Sequence, residues 1–310
     1  MSKGIHNWYD WLKLSKPIIG FTGGKGGTGK TTVAVNIAYL FYQLNKKVLV
    51  VDCDVDNPNV SLLLGTKLHE KEEVSNFIPE FNDNCTACGK CHEVCRAKAI
   101  LNIPNKKPLL FPEICSGCKA CQIICPENAV DTSSKVVGSI LEGTAHNIDI
   151  IAGKLKIGEP GSAEVVKAVK MYALDKISRN DYDIIIIDTA PGAHCDVLLS
   201  LFGVKLVLYI TEPTLYGTYD LKRIIKLVDN LQDSINSYII LNRFDMTDNY
   251  EIIENVSNEF NVPILGKIPL DRDLQIAYAK GIPVVKEFPQ ANSTKYFKEI
   301  FNKLIEVEKI

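Results

Sequence analysis

The chain has 310 residues, 46% of them hydrophobic and 23% charged, which is enough apolar material to bury a full core in one large domain or two. A net charge near −2 and a pI near 6.2 carry no signal for a polyanion, so no nucleic-acid partner is expected. No segment approaches the roughly 20 uninterrupted apolar residues of a membrane helix, and the polar start Met1–Asp10 lacks a secretory signal's apolar core; a soluble, cytoplasmic protein is implied.

An N-terminal extension, residues 1–16, carries Trp8, Trp11, Leu12 and Leu14, a cluster expected to cover core. Ile18–Thr22 is a short apolar run ending in glycines, after which Val33, Ile37, Ala38, Phe41 and Leu44 recur at helical spacing. The segment reads as strand, Gly-rich loop, helix. Lys47–Val51 ends in Asp52 and Tyr182–Ile187 ends in Asp188, the pattern of buried parallel strands with a carboxylate at the carboxyl end. Further strands are expected at Ile148–Ala152, Leu206–Thr211, Tyr238–Asn242 and Ile264–Ile268, separated by helices over 162–178, 217–232 and 248–259. This alternation specifies an α/β fold, a mainly parallel sheet with helices on both faces.

The alternation breaks between about Phe77 and Asp131, where Cys, Pro, Gly and Lys replace the long apolar periods. A small inserted α+β domain over 77–132 is expected, dividing the main domain into 17–76 and 133–310. Eight of the ten cysteines fall within Cys85–Cys125, and such clustering in a chain of this class signals metal rather than disulfides. The insert repeats itself at a spacing of 30 residues: Cys85, Cys88, Cys91 and Cys95 are echoed by Cys115, Cys118, Cys121 and Cys125, and Ala99-Ile100 by Ala129-Val130. An internal duplication accounts for this.

Gly24-Lys25-Gly26-Gly27-Thr28-Gly29-Lys30-Thr31-Thr32 matches the phosphate-binding loop G-x-x-x-x-G-K-[ST] in full, in the required place between strand and helix. Glycines let successive N–H groups and the helix N-terminus face phosphate, Lys30 neutralises the β- and γ-phosphate oxygens, and Thr31 is placed to ligate Mg²⁺. The form K-G-G-x-G-K-T-T resembles the deviant Walker A motif of the MinD/ParA/Mrp family, to which the nitrogenase iron protein is related. The resemblance covers the chain outside the insert, from about residue 17 to 305. It implies that Lys25 reaches across an ATP-sandwiched homodimer to the partner's nucleotide. Val50-Val51-Asp52-Cys53-Asp54-Val55-Asp56 resembles the family's switch I, with Asp54 matching the carboxylate that positions the attacking water and Asn59 in the following loop. Ile187-Asp188-Thr189-Ala190-Pro191-Gly192 resembles its Walker B strand and switch II, with Asp188 supporting Mg²⁺ through water. Asn242 with Arg243, and Pro269-Leu270-Asp271, resemble its adenine-contacting strand ends. Lys25, Lys30 and Asp54 are thus the expected catalytic groups for phosphoryl transfer by charge neutralisation and positioning.

Two C-x₂-C-x₂-C-x₃-C runs bring three soft thiolates to one cubane and throw the fourth to the other. Applied here, Cys85, Cys88, Cys91 and Cys125 hold one [4Fe–4S] cluster, and Cys115, Cys118, Cys121 and Cys95 the second. The pattern resembles bacterial two-cluster ferredoxins, although Arg96 stands where the equivalent Pro126 follows the second run. C-x₂-C pairs also build zinc sites, but four cysteines per repeat with the x₃ gap favour clusters. Between Asn84 and Asp131 six Lys/Arg face four acids, a balance expected to raise the cluster potentials above those of a strongly acidic ferredoxin. Cys53 and Cys195 are left over: Cys53 is expected to be a small buried thiol, and packing or loop solvation is expected of Cys195.

Joined, the two halves imply an ATP- and Mg²⁺-binding dimeric switch that couples its nucleotide state to electron transfer towards, or maturation of, a partner metalloenzyme. An Mrp-type cluster carrier is a second reading, although no Cys-x-x-Cys follows Cys195. A MinD-like membrane organiser is a third, resting on the amphipathic stretch Tyr296–Ile305.

Overall fold

The computed structural model describes residues 6–231, 235–247 and 251–309. In chain order, the strands are β1 (Ile18–Thr22), β2 (Val48–Cys53), β3 (His69–Phe81), β4 (Ile100–Ile103), β5 (Lys106–Leu110), β6 (Val130–Ala145), β7 (Ile148–Leu155), β8 (Ile184–Thr189), β9 (Leu206–Thr211), β10 (Asn236–Asn242) and β11 (Ile264–Ile268). The helices are α1 (Asp10–Lys13), α2 (Lys30–Gln43), α3 (Val60–Leu63), α4 (Lys90–Val94), α5 (Ala120–Ile124), α6 (Ser162–Arg179), α7 (Cys195–Leu201), α8 (Leu215–Asp229), α9 (Glu251–Phe260), α10 (Arg272–Lys280), α11 (Val284–Glu287) and α12 (Asn292–Glu308). The expected helices over 217–232 and 248–259 lie partly outside the described residues at 232 and 248–250.

Among the described residues β-structure forms a nine-stranded sheet ordered β11-β10-β9-β1-β8-β2-β7-β6-β3 and a separate β4-β5 hairpin. From β11 to β7 every pairing is parallel, and β6 and β3 close one edge antiparallel. The central strands β1, β2, β8 and β9 are buried at every position, which is why they read as unbroken apolar runs. Alternate residues sort to two cores. Leu49, Val51, Ile185, Ile187 and Val207 pack with α6 to α9 on one face. Val48, Val50, Ile184, Ile186 and Leu208 pack with α2, α11 and α12 on the other.

The antiparallel pair β3–β6 was not foreseen as part of the sheet. Its two strands run through the expected insert boundaries at 77 and 132, paired from His69↔Glu142 to Phe81↔Val130. Much of β3 is exposed, so it carries Glu and Lys where a core strand would carry Ile and Val, and its period-2 signal is weak. The cysteine-rich segment is therefore carried at the end of a ribbon continuous with the main sheet. It consists of α4, the β4–β5 hairpin and α5, around a small core of Phe77, Ile100, Cys121 and Val130.

The N-terminal cluster covers core as its composition implies. Trp11 is fully buried and Trp8 stacks on Phe202 with centroids 5.4 Å apart, whereas Leu12 is left exposed. Below Trp11 lies fully buried Lys170, its Nζ 3.7 Å from the ring centroid and donating to the carbonyls of Ser200 and Phe202 at 2.9 Å each. Burial pushes that ammonium down to about 7. Among the described residues no helix is long and apolar enough to cross a membrane.

Candidate functional site: a phosphate-loop cavity and a cysteine module

The carboxyl ends of β1, β2, β8, β10 and β11 meet around one cavity of about 510 Å³, within the range of small-molecule sites. Parallel register places Asp188 beside both Phe21 and Asp52, so the Walker-type carboxylate stands directly behind the loop that follows β1. That loop turns through left-handed backbone at Gly27 (φ 83°) and Gly29 (φ 92°), which only glycine adopts without strain. Gly24 and Gly29 are also confined: a Cβ on Gly24 would fall 2.3 Å from Asp220 Cβ, and one on Gly29 would fall 2.4 Å from Asn242 Nδ2. A Cβ on Gly26 would meet nothing within 4 Å.

Of the expected nucleotide-site residues, Gly26, Gly27, Gly29, Lys30, Thr31, Thr32, Asp54, Asn242, Arg243, Pro269 and Asp271 line this cavity, as does Asn59. Gly24, Lys25, Thr28 and Asp188 do not reach its wall. Lys30 is 6% exposed, its Nζ donating to the Lys25 carbonyl at 3.4 Å. Burial pushes its ammonium down against the pull of Asp188 and Asp54. Thr31 Oγ1 donates to Asp188 Oδ2 at 2.6 Å, and Asp188 Oδ1 is buried with no protein partner. A hydroxyl beside a buried carboxylate with a spare oxygen is a hard-donor pair that fits Mg²⁺ and its water shell. Asp52 is fully buried behind them, accepting from Asp54 N at 3.1 Å and Val60 N at 3.0 Å. Burial raises it, and Asp188 adds to the rise. Asp54 opens into the cavity, and burial pushes its carboxyl up to about 6 in spite of Lys30.

The strand ends expected near adenine are partly engaged within the protein. Asn242 Nδ2 donates to the Thr28 carbonyl at 2.7 Å and its Oδ1 accepts from Arg243 N at 3.1 Å, so its amide braces the phosphate loop. Asp271 caps α10, accepting from Asp273 N at 2.8 Å and from Ser293 N at 2.7 Å. Burial raises its carboxyl, but those N–H groups outweigh it and hold the group low. Its carboxylate is committed to the cap, which leaves the neighbouring backbone and Leu270 to meet a ligand. Asn57, Leu63, Leu274, Gln275 and Tyr278 also line the cavity without a sequence signal; the last three lie on α10 and reach it only through the fold.

In the insert, Cys85, Cys88, Cys91 and Cys125 line one small hollow together with Phe81 and Pro108. Burial raises the Cys115 thiol and pushes that of Cys121 up to about 11. The last cysteines of the two runs are held alike: Ala99 N donates to Cys95 Sγ at 3.3 Å and Ala129 N to Cys125 Sγ at 3.2 Å. Among the described residues no group of three or more His, Cys, Asp or Glu side chains is gathered to hold a single metal ion. Thiolates around a cubane stand on its separate corners, further apart than the ligands of one ion. Asn76 of β3 ties the second run to the ribbon, its Nδ2 donating to the Ser116 carbonyl at 3.2 Å. Cys53 is fully buried and its thiol pushed up to about 12, an inert packing residue, while Cys195 is exposed at the start of α7.

Comparison with known proteins bears on the main domain. An uncharacterized protein of Methanocaldococcus jannaschii is 36% identical over 290 residues, spanning 93% of this chain and 97% of that one. The cell division ATPase MinD of Pyrococcus furiosus superposes with a TM-score of 0.59 at 21% identity, covering 94% of this chain and 99% of that one. MinD of Pyrococcus horikoshii, solved with Mg-ADP, gives 0.59 at 19% identity, with 94% and 97% covered. At these identities the structures share the fold. The model of the CobQ/CobB/MinD/ParA nucleotide binding domain matches residues 19–284, and the chain belongs to that family.

Proposed function

We propose that the chain is an ATP-hydrolysing, dimeric switch that carries two [4Fe–4S] clusters and couples its nucleotide state to electron transfer towards, or maturation of, a partner metalloenzyme. The crossed cysteines carry the reading. Cys125, from the second run, shares a hollow with Cys85, Cys88 and Cys91 of the first. That exchange of the fourth ligand is what two C-x₂-C-x₂-C-x₃-C runs need in order to hold two cubanes. Each cluster supplies one-electron transfer when bound; the chain supplies eight thiolates, the N–H donors of Ala99 and Ala129, and the apolar cover of Phe81 and Pro108.

On the nucleotide side, Lys30 meets the β- and γ-phosphates and Thr31 with Asp188 holds Mg²⁺, Asp188 through water. Asp54 orients the attacking water, and the base lies towards Pro269, Leu270 and Tyr278. Lys25, outside the cavity of its own subunit, serves the nucleotide of a second copy. Retention of clusters by eight ligands supports electron delivery over an Mrp-type carrier. A membrane organiser has less support, because Phe297, Ile300, Phe301 and Leu304 of α12 are buried on the body, Phe301 against Phe41.

Anaerobic purification of the full chain tests this directly. About eight iron atoms per chain and a [4Fe–4S] EPR signal on reduction are expected, with Mg-dependent ATP turnover that is lost in Lys30→Ala. A folded, anaerobically prepared chain that holds zinc or no metal removes the cluster half; one that does not bind ATP removes the other.

A further inference from the structure

One carboxylate beside the phosphate loop has no part in the chemistry above. Glu212 is the first residue past β9 and is 4% exposed. Its two oxygens hold two cations: Lys25 Nζ donates to Oε2 at 3.3 Å, and Arg243 Nη1 donates to Oε1. The loop Gly26–Gly27 lies between those cations, and Arg243 Nη1 also donates to the Gly27 carbonyl at 3.2 Å. A carboxylate this deep requires a cation, because removal of its last partner strands a buried charge. With two cations present, one can leave. Arg243 is fixed further by its backbone N–H on Asn242 Oδ1 at 3.1 Å, and it keeps a left-handed backbone (φ 51°) that only a restraining setting maintains. The two side chains are about equally exposed, at 39% and 38%, but Lys25 Nζ reaches Glu212 only at 3.3 Å, whereas Arg243 Nη1 is tied to the Gly27 carbonyl as well. It is the one free to go.

Resting on the ATP-dependent dimer read above, we propose that Glu212 is a positioning residue that restrains Lys25 within its own subunit. Release of Lys25 then sets the concentration at which the ATP-bound chain pairs with a second copy, while Arg243 stays on Glu212 and keeps the buried charge compensated. The carboxylate thus acts against dimerisation, and the partner's phosphates must outbid it for the lysine.

Sedimentation velocity of the full chain with Mg²⁺ and a non-hydrolysable ATP analogue tests this. Glu212→Gln keeps the shape and removes the charge, and its dimerisation midpoint is expected about tenfold lower, the scale of one charge-assisted hydrogen bond. Lys25→Ala is expected to dimerise equally poorly with Glu or Gln at 212. An unshifted or higher midpoint in a Glu212→Gln chain that still binds the analogue overturns the proposal, as does a shift that persists with Lys25→Ala. Should Glu212→Gln fail to fold, Glu212→Asp withdraws the carboxylate by one methylene and is expected to lower the midpoint too; no shift there overturns the proposal equally. A wild-type chain that does not bind the analogue in equilibrium dialysis defeats the nucleotide reading itself, and that failure is distinct from a bound analogue with unmoved midpoints.

Discussion

At the scale of the residue, the glycines of the phosphate loop divide by what surrounds them. Gly24→Ala drives a methyl into Asp220 and should cost about 1–3 kcal/mol of stability, seen as a lowered thermal midpoint. Gly26→Ala meets open space, so its midpoint should stay within about 0.5 kcal/mol of wild type, and any loss of turnover in it reports on nucleotide or partner. Asp54 offers a pH test. Its folded-state pKa of about 6 lies above the unfolded value, so the folded state binds the extra proton between the two and stability rises as pH falls through that window. Asp54→Asn should therefore stabilise the chain at pH 8 by about 1–3 kcal/mol, abolish turnover, and lose its stability advantage by about pH 4, near the unfolded carboxylate value; thermal melts across pH check this. Loop residues 24–32 were legible because a phosphate loop is a local pattern. Glu212 was not, since its cations lie 187 and 31 residues away in the chain.

At the scale of the element, the buried parallel strands announce themselves by unbroken apolar runs, and Ile18–Thr22, Leu206–Thr211 and Ile264–Ile268 stand where the sequence places them. The β3–β6 ribbon was missed because an exposed antiparallel edge tolerates Glu and Lys at many positions. The Asp271 carboxylate caps α10 through Asp273 N, a local bond, and also accepts from Ser293 N, a partner 22 residues on that only the fold supplies. The proposed crossing of the cysteines rests on the spacing of each run, a local pattern. It yields a clean expectation: Cys85→Ser and Cys125→Ser should each disturb the same cluster, and Cys95→Ser and Cys115→Ser the other. EPR spectra that pair Cys85 with Cys95 instead would place both fourth ligands within their own runs. The six Lys/Arg against four acids in this segment should also hold both potentials above those of a strongly acidic ferredoxin, as anaerobic titration will show.

At the scale of the whole molecule, the ribbon gives the two halves a mechanical connection. Asn59, at the N-terminal end of α3, and Leu63, its last residue, line the nucleotide cavity, and β3 departs at His69 towards the cysteine module. Asp52 fixes the start of α3 through Val60 N, and on the proposed coupling a movement of this segment when nucleotide binds would act on the base of that ribbon. Asn76 then links β3 to Ser116 in the second cysteine run. The most direct test is an EPR-monitored redox titration of the fully iron-loaded chain with and without Mg-ATP. The account predicts a shift in at least one cluster potential when ATP binds, lost in Lys30→Ala. Identical potentials in a chain shown to hold both clusters and to bind ATP would contradict it.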